Sequence, residues 1–272
     1  MGFEQITFEN HNGKTITFGD GYGFYVNENE LRDYEWEYTT ANNRIKSITR
    51  GVVEKKVPIV ITGTDVGATN ELKNMLANYA DEDVYANEKG RFWIGDYYLS
   101  CFIVSSKKSK YSSTDKFVKI DLGIVTDQPY WTKEDTTLFR VTSSEAQGGI
   151  EEPYDYEYDY GSFTSETIVN NNYSESNVKL VVYGACDEID VYIGDNRYHI
   201  EESLEATEYA VIDTREKKAY KMALDGTKES IFGKRDRDWD LFAKVAVGTN
   251  VVQRDGYIDI TLYDERSEPL WI

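Results

Sequence analysis

Apolar and polar residues alternate with a period of two through most of this chain, the pattern of strands that bury one face. Gln5 to Asn10 and Lys14 to Phe18 alternate on either side of Asn12-Gly13, a pair suited to a tight hairpin turn. Gly19, Gly21 and Gly23 interrupt the pattern, and further strands are predicted at Arg44 to Val52 and Lys56 to Thr62. Pro58 puts the latter near a sheet edge or at its own beginning. The period changes once. Leu72, Met75, Leu76 and Tyr79 fall at i, i+3, i+4, i+7, which predicts a helix near 69–80, capped by Thr69 or Asn70. Strands resume at Arg91 to Ile94, Tyr97 to Leu99 and Phe117 to Leu122, ahead of Pro129-Tyr130-Trp131.

An acidic tyrosine run, Glu151 to Gly161, then separates this first series from a second. The second is all strand-like: Glu166 to Asn170, Val178 to Tyr183, Ile189 to Ile193, Arg197 to Ile200, Tyr209 to Asp213, Ala219 to Met222, Trp239 to Phe242 and Tyr257 to Leu262. Turn residues separate them at intervals typical of a sandwich. The expectation is a mainly β protein with one helix, in two modules: 1–140, and 141–272 as a β-sandwich, joined by a linker at about 143–162. The segment 132–162 fits either side, and the last strand, ending at Trp271, is a candidate to return to the first module.

Composition sharpens this picture. The 272 residues include 40% hydrophobic and 14% aromatic residues, enough to bury a core in each module. A formal net charge of −19 argues against binding nucleic acid or anionic lipid, which needs clustered Lys and Arg. An acidic surface instead repels a polyanion over about 8 Å at physiological salt. Met1 to Gln5 lacks the basic and apolar regions of a secretory signal, so synthesis in a cytosol is expected, with no membrane partner. Cys101 and Cys186 each sit in or beside apolar strand-like sequence and are read as packed thiols, not a disulfide.

Catalytic chemistry is not encoded in any recognisable motif. The two histidines, His11 beside a hairpin turn and His199 inside a strand, are read as structural, and no serine or cysteine occupies a nucleophile elbow. Asp236 to Asp240 resembles the start of a calcium loop, but Leu241 stands where the turn glycine belongs and Val247 where the distal acid belongs. The triple-glycine segment lies between strands and lacks the helix that a phosphate cradle needs. The seam tyrosines suit either packing against a neighbouring domain or stacking on sugar rings. No cofactor or metal is expected.

Tyr34 to Ile45, with the strand, helix and strand after it, resembles the amino-terminal domain of phage distal tail (Dit) proteins. The second half is similar to the carboxy-terminal half of such tail-tip proteins in Ile189 to Ile200, Tyr209 to Thr214, Phe242 to Asn250 and Tyr263 to Trp271. The resemblance implies a hexameric ring at the virion tail tip, closed by the amino-terminal domains, with a galectin-like β-sandwich projecting outward. It also implies the tail tube protein, the tail-associated protein and receptor-binding proteins as partners, with DNA passing through unbound. Ring closure requires two different patches per protomer; Trp36, Tyr38 and Arg44 are expected to form one of them. The alternatives are a carbohydrate-binding module that recognises cell-wall sugars and, third, a wall-degrading enzyme.

Overall fold

The computed structural model describes residues 4–26, 28–108, 114–140 and 166–271. The acidic tyrosine run and the expected linker therefore lie outside the described residues. The described chain is mainly antiparallel sheet with a single α-helix, and it divides into two compact units, Met1–Lys133 with Glu265–Ile272, and Glu134–Asp264.

In the first unit, β1 (Ile6–Glu9) and β2 (Thr15–Phe18) form the hairpin that the sequence predicts. Its turn holds Gly13 at φ 78°, and Ile6, Phe8, Ile16 and Phe18 turn inward. The glycine segment leads into β3 (Phe24–Val26). Gly23 has φ 79°, and a Cβ there would lie 2.6 Å from Leu72 Cδ1, so the turn and the helix meet at a point only glycine fits. A second hairpin follows, β4 (Glu37–Ala41) and β5 (Arg44–Thr49), turning through Asn42 and Asn43 at φ 52° and 58°. Asparagine tolerates this left-handed conformation, which tight hairpins need at both central positions.

The next strand, β6 (Val53–Thr62), pairs with β3 over Ile59 to Ile61. Pro58 stands just beyond the end of that pairing. The backbone of Lys56 and Thr62 reaches toward the β3 side, and the two-residue repeat turns the missing N–H of Pro58 the same way, past the end of the β3 ladder.

The helix α1 (Val66–Ala86) is longer than its periodicity suggests. Its cap is Asp65, whose carboxylate accepts from Ala68 N at 2.8 Å. Thr69 lies instead inside the first turns, fully buried, its hydroxyl donating to Asp65 O and accepting from Gly63 N. Leu76 is buried, with Leu72, Met75 and Tyr79 packed against the core as the pattern requires. Glu82 and Asp83, beyond the expected end near residue 80, belong to the helix and fasten it. Asn10 and Lys14 bond Glu82, and His11 bonds Asp83.

Strands β7 (Gly90–Ile94), β8 (Tyr97–Lys108) and β9 (Phe117–Thr126) complete the sheets, in the pairings β2–β1–β7–β8 and β8–β9–β6–β3. One core runs between them, with Phe8, Phe24, Phe92, Leu99 and Trp131 at its centre. Cys101 is buried there, and desolvation pushes its thiol pKa up.

The boundary between units falls inside β10 (Trp131–Phe139). The second unit contains a sheet in the order β11 (Glu166–Asn170), β18 (Gly248–Arg254), β13 (Ile189–Ile193), β14 (Asn196–Ile200). The other pairs β12 (Val178–Tyr183) with β15 (Tyr209–Asp213) and with β19 (Ile258–Arg266); beyond β15 come β16 (Lys218–Met222) and β17 (Lys228–Ser230). Leu180, Ile212 and Ile260 of the latter sheet and Val191, Ile193 and Val252 of the former enclose one apolar core. Trp239 to Phe242, expected as a strand, is irregular: the side chain of Asp240 accepts from Phe242 N at 2.9 Å, which closes a local turn instead of a ladder. β18 supplies the strand that the pattern did not single out.

Candidate functional site

Among the described strand pairs, only the β4–β5 hairpin is exposed throughout both strands. All eleven of its strand residues, five in β4 and six in β5, are exposed. Among the described residues its strands pair only with each other. In the register, Tyr38 faces Ile48 and Thr40 faces Ile45, which gathers Tyr38, Ile45 and Ile48 on one side, 56–67% exposed. Thr39 and Ser47 share the other side, their hydroxyls 2.6 Å apart. A two-stranded hairpin has little stability alone without packing on its apolar face.

Of the residues expected at a subunit patch, Tyr38 lies on the apolar side of the hairpin, while Arg44 lies opposite Ala41 on the polar side. Trp36 precedes the hairpin, 40% exposed, its ring edge-on to Tyr130 with centroids 6.1 Å apart. The expected trio is therefore spread over both faces and the base. The sequence reading missed Ile45 and Ile48, whose signal is their placement across the Asn42-Asn43 turn from Tyr38. It also missed Arg50, which follows the hairpin and is ringed by Tyr34, Trp36 and Tyr130. Only the fold brings Tyr130 there.

A surface pocket of about 500 Å³ opens beside the hairpin, lined by Arg50, Lys55 and a set of carboxylates that includes Glu35, Glu37 and Glu54. Lys55 is buried but satisfied: Nζ donates to the carbonyls of Glu30, at 2.8 Å, and Asp33. Burial lowers its pKa, and so does its neighbour Arg50.

The histidines sit in structural networks. His11 Nδ1 is 2.7 Å from Asp83 Oδ1, and His199 lies between Glu188 and Asp236 at 3.2 and 3.5 Å. Asp236 and Asp240, the calcium-like pair, accept backbone N–H bonds of their own loop. Among the described residues no group of three or more His, Cys, Asp and Glu side chains could hold a metal ion. No helix among them is long and apolar enough to cross a membrane.

In the second unit the outward side of the β12–β15 pair carries Tyr183 and Tyr209, ring centroids 6.2 Å apart. Tyr183 Oη donates to Asp259 Oδ2 at 2.8 Å, and Arg140 donates to Asp259 Oδ1 at 2.6 Å. Burial, then the bond to Asp259, raises the Tyr183 pKa, so the hydroxyl stays protonated and donates.

No protein-family model matches the chain. No curated protein sequence matches it either. Solved structures do. The chain shares its fold with the Dit protein (gp 19.1) of phage SPP1, described as a paradigm of hub adsorption apparatus in phages infecting Gram-positive hosts. That match has a TM-score of 0.57 and 11% identity over 96% of this chain and 98% of that one. It is similar also to a chain of the phage P2 baseplate in its activated conformation with Ca, at TM-score 0.64 and 12% identity, over 98% of this chain and 100% of that one. A chain of the same baseplate with Sr gives 0.64 and 13% over the same shares. The fold that the sequence resemblance implies is thus the fold observed, across nearly the whole chain.

Proposed function

We propose that this protein is a structural hub of a phage tail tip, assembling as a hexameric ring that joins the tail tube to tail-associated and receptor-binding proteins. The observation that carries the reading is the β4–β5 hairpin: a hydrophobic face on an element whose strands pair, among the described residues, only with each other. Exposed apolar and aromatic surface of this kind is typical of protein interfaces. The shared fold with Dit and baseplate chains supports the same reading. In it, the first unit closes the ring, with Tyr38, Ile45 and Ile48 against the neighbouring copy and Trp36 at the base. Arg44, on the opposite side of the hairpin, faces a different neighbour or solvent. The second unit, the carboxy-terminal sandwich, projects outward and docks further tail proteins. The excess of acid suits a conduit that DNA passes without sticking, and a lumen lined by Lys and Arg would contradict that role.

The test is mass in solution by light scattering across a concentration series, with images of the peak. Rings of six, single or stacked, are expected, and Tyr38→Ser with Ile48→Ser should lower assembly while leaving the protomer folded. A protomer that never associates, even with the tail tube protein added, would remove the hub reading.

A second reading, sugar binding, draws on the Tyr183–Tyr209 pair with its prearranged Arg140–Asp259 hydrogen bonds, since aromatic faces beside charged donors and acceptors suit a saccharide. Titration of the full chain with cell-wall glycans, compared with Tyr209→Ala, tests it; equal binding or none in both removes this reading.

A further inference from the structure

Two arginines of the first unit occupy opposite situations. Arg32 is fully engaged. Its Nε donates to Glu4 Oε2 at 3.1 Å, Nη2 pairs with Glu4 Oε1, and Nη1 donates to the Pro269 carbonyl at 2.7 Å. The Trp271 ring lies 3.8 Å from its guanidinium carbon, in face contact.

Arg50 has rings but no acceptors. Its Nε and Nη1 are buried and have no hydrogen-bond partner among the described residues. Tyr130, Trp36 and Tyr34 surround it at 5.0, 5.3 and 5.8 Å, within reach of the cation but offering ring faces and not acceptors for these N–H groups. Desolvation dominates and lowers the Arg50 pKa, against the opposing effect of Tyr130 and Tyr34. Folded proteins seldom leave buried donors unmet without a reason, since such groups have given up water and gained nothing.

Among the described residues nothing supplies the missing acceptor, although carboxylates are close. Glu30, Asp33, Glu35, Glu37 and Glu54 line the same pocket, yet none of them bonds either N–H. The Glu30 carboxylate accepts from Lys56 N instead. Trp36 and Tyr34 are 40% and 52% exposed, so an incoming segment can displace them to reach the guanidinium.

We propose that Arg50 is a socket for a second copy of this chain, its Nε–H and Nη1–H taking an acceptor oxygen that the adjacent protomer inserts into the pocket. This rests on the ring reading above and names the group at its centre. Two features select a copy of this chain as the occupant. The pocket is continuous with the uncovered hairpin: Glu37 of β4 lines it, and so does Val52, which is 70% exposed. A copy of this chain is also rich in acceptors that a guanidinium can take, with 49 Asp and Glu against 30 Lys and Arg. Arginine and aromatic residues together are the usual anchors of protein interfaces. The oxygen belongs either to a side-chain carboxylate or to a main-chain carbonyl, which the pocket's own acids do not repel.

The experiment compares full-length wild type with Arg50→Met and Arg50→Lys by sedimentation across a concentration series, alongside thermal melting of the protomer. The socket predicts that Arg50→Met raises the concentration for half-assembly at least tenfold, and that Arg50→Lys, lacking the paired N–H groups, restores little of it. It also predicts that the Arg50→Met protomer melts no lower than wild type, since the variant removes unmet donors. A ring that forms equally well with Met at position 50 overturns the socket and leaves the ring reading intact. A protomer melt that falls with Met assigns Arg50 to internal packing and overturns it too. If wild type never associates, both readings fall together. With assembly observed, salt separates the two oxygens: the ratio of wild type to Arg50→Met shrinks as salt rises for a carboxylate and stays constant for a carbonyl.

Discussion

The two hairpins of the first unit start from the same kind of sequence and finish in opposite places. β1–β2 and β4–β5 both turn through Asn-containing pairs, and both gather apolar side chains on one face. The first hairpin is covered. β7 extends it through β1, Phe8 packs on Phe92 with centroids 5.1 Å apart, and its turn is tied to α1 by His11–Asp83 and Lys14–Glu82. The second pairs with no third strand among the described residues and leaves Tyr38, Ile45 and Ile48 more than half exposed. An alternating pattern therefore states that a face is to be buried without stating whether the cover is internal or another molecule. In β4–β5 the uncovered face is the strongest pointer to assembly that the molecule offers.

The largest effect that can sharpen this contrast lies in the covered hairpin. Phe8→Ala should cost about 3–5 kcal/mol of protomer stability, through lost transfer and a cavity among Phe18, Phe24 and Phe92; urea denaturation measures it. The matching change on the open hairpin, Ile48→Ser, should leave protomer stability within about 0.5 kcal/mol but weaken association by about 1–2 kcal/mol, as truncation of an interface side chain does. If Ile48→Ser instead destabilises the isolated protomer as much as a core change, the hairpin has an internal cover and the contrast collapses.

The tether of the first hairpin carries a pH signature. Asp83 is fully buried; burial raises its pKa, and the hydrogen bonds from His11 only partly offset this. A carboxyl group with a raised folded-state pKa binds its proton more tightly folded than unfolded. Its contribution is present below the unfolded pKa, near the ordinary 3.8, and is lost as pH rises through the higher folded value. The stability of wild type relative to Asp83→Asn should decline across that window and level off above it, as urea unfolding at a series of pH values will show. The smallest expected effect is at the open turn: Asn43→Gly should change protomer stability by only a few tenths of a kcal/mol, about the difference between two residues that both tolerate positive φ. Asn43→Val should fray the turn, seen as loss of amide protection confined to β4–β5.

The alternation marked both hairpin faces, and the 3.6-residue repeat of Leu72, Leu76 and Tyr79 marked the helix, because local periodicity reports which side of an element meets apolar surroundings. It did not reveal the helix's true cap, since Asp65 and Thr69 are both good capping residues and the difference lies in Thr69 being held by Gly63 and Lys116. Trp239 to Phe242 carries the apolar residues of a strand, but side-chain carboxylates satisfy its backbone locally. The Trp36, Tyr38 and Arg44 grouping followed from composition of a segment, which cannot say that Tyr38 and Arg44 occupy opposite faces.

What the sequence determined by itself was a β-rich chain with one helix, divided into two halves and strongly acidic. Those properties follow from short-range patterns that any local segment carries. What only the tertiary structure decided was which faces found covers. Arg32 meets Pro269 and Trp271 from the far end of the chain, whereas Arg50 meets Tyr130 and, among the described residues, no acceptor for Nε and Nη1. Partners separated by 80 to 240 residues are set by chain topology, and their distances decide whether a buried donor is satisfied within the protomer or left for a neighbour.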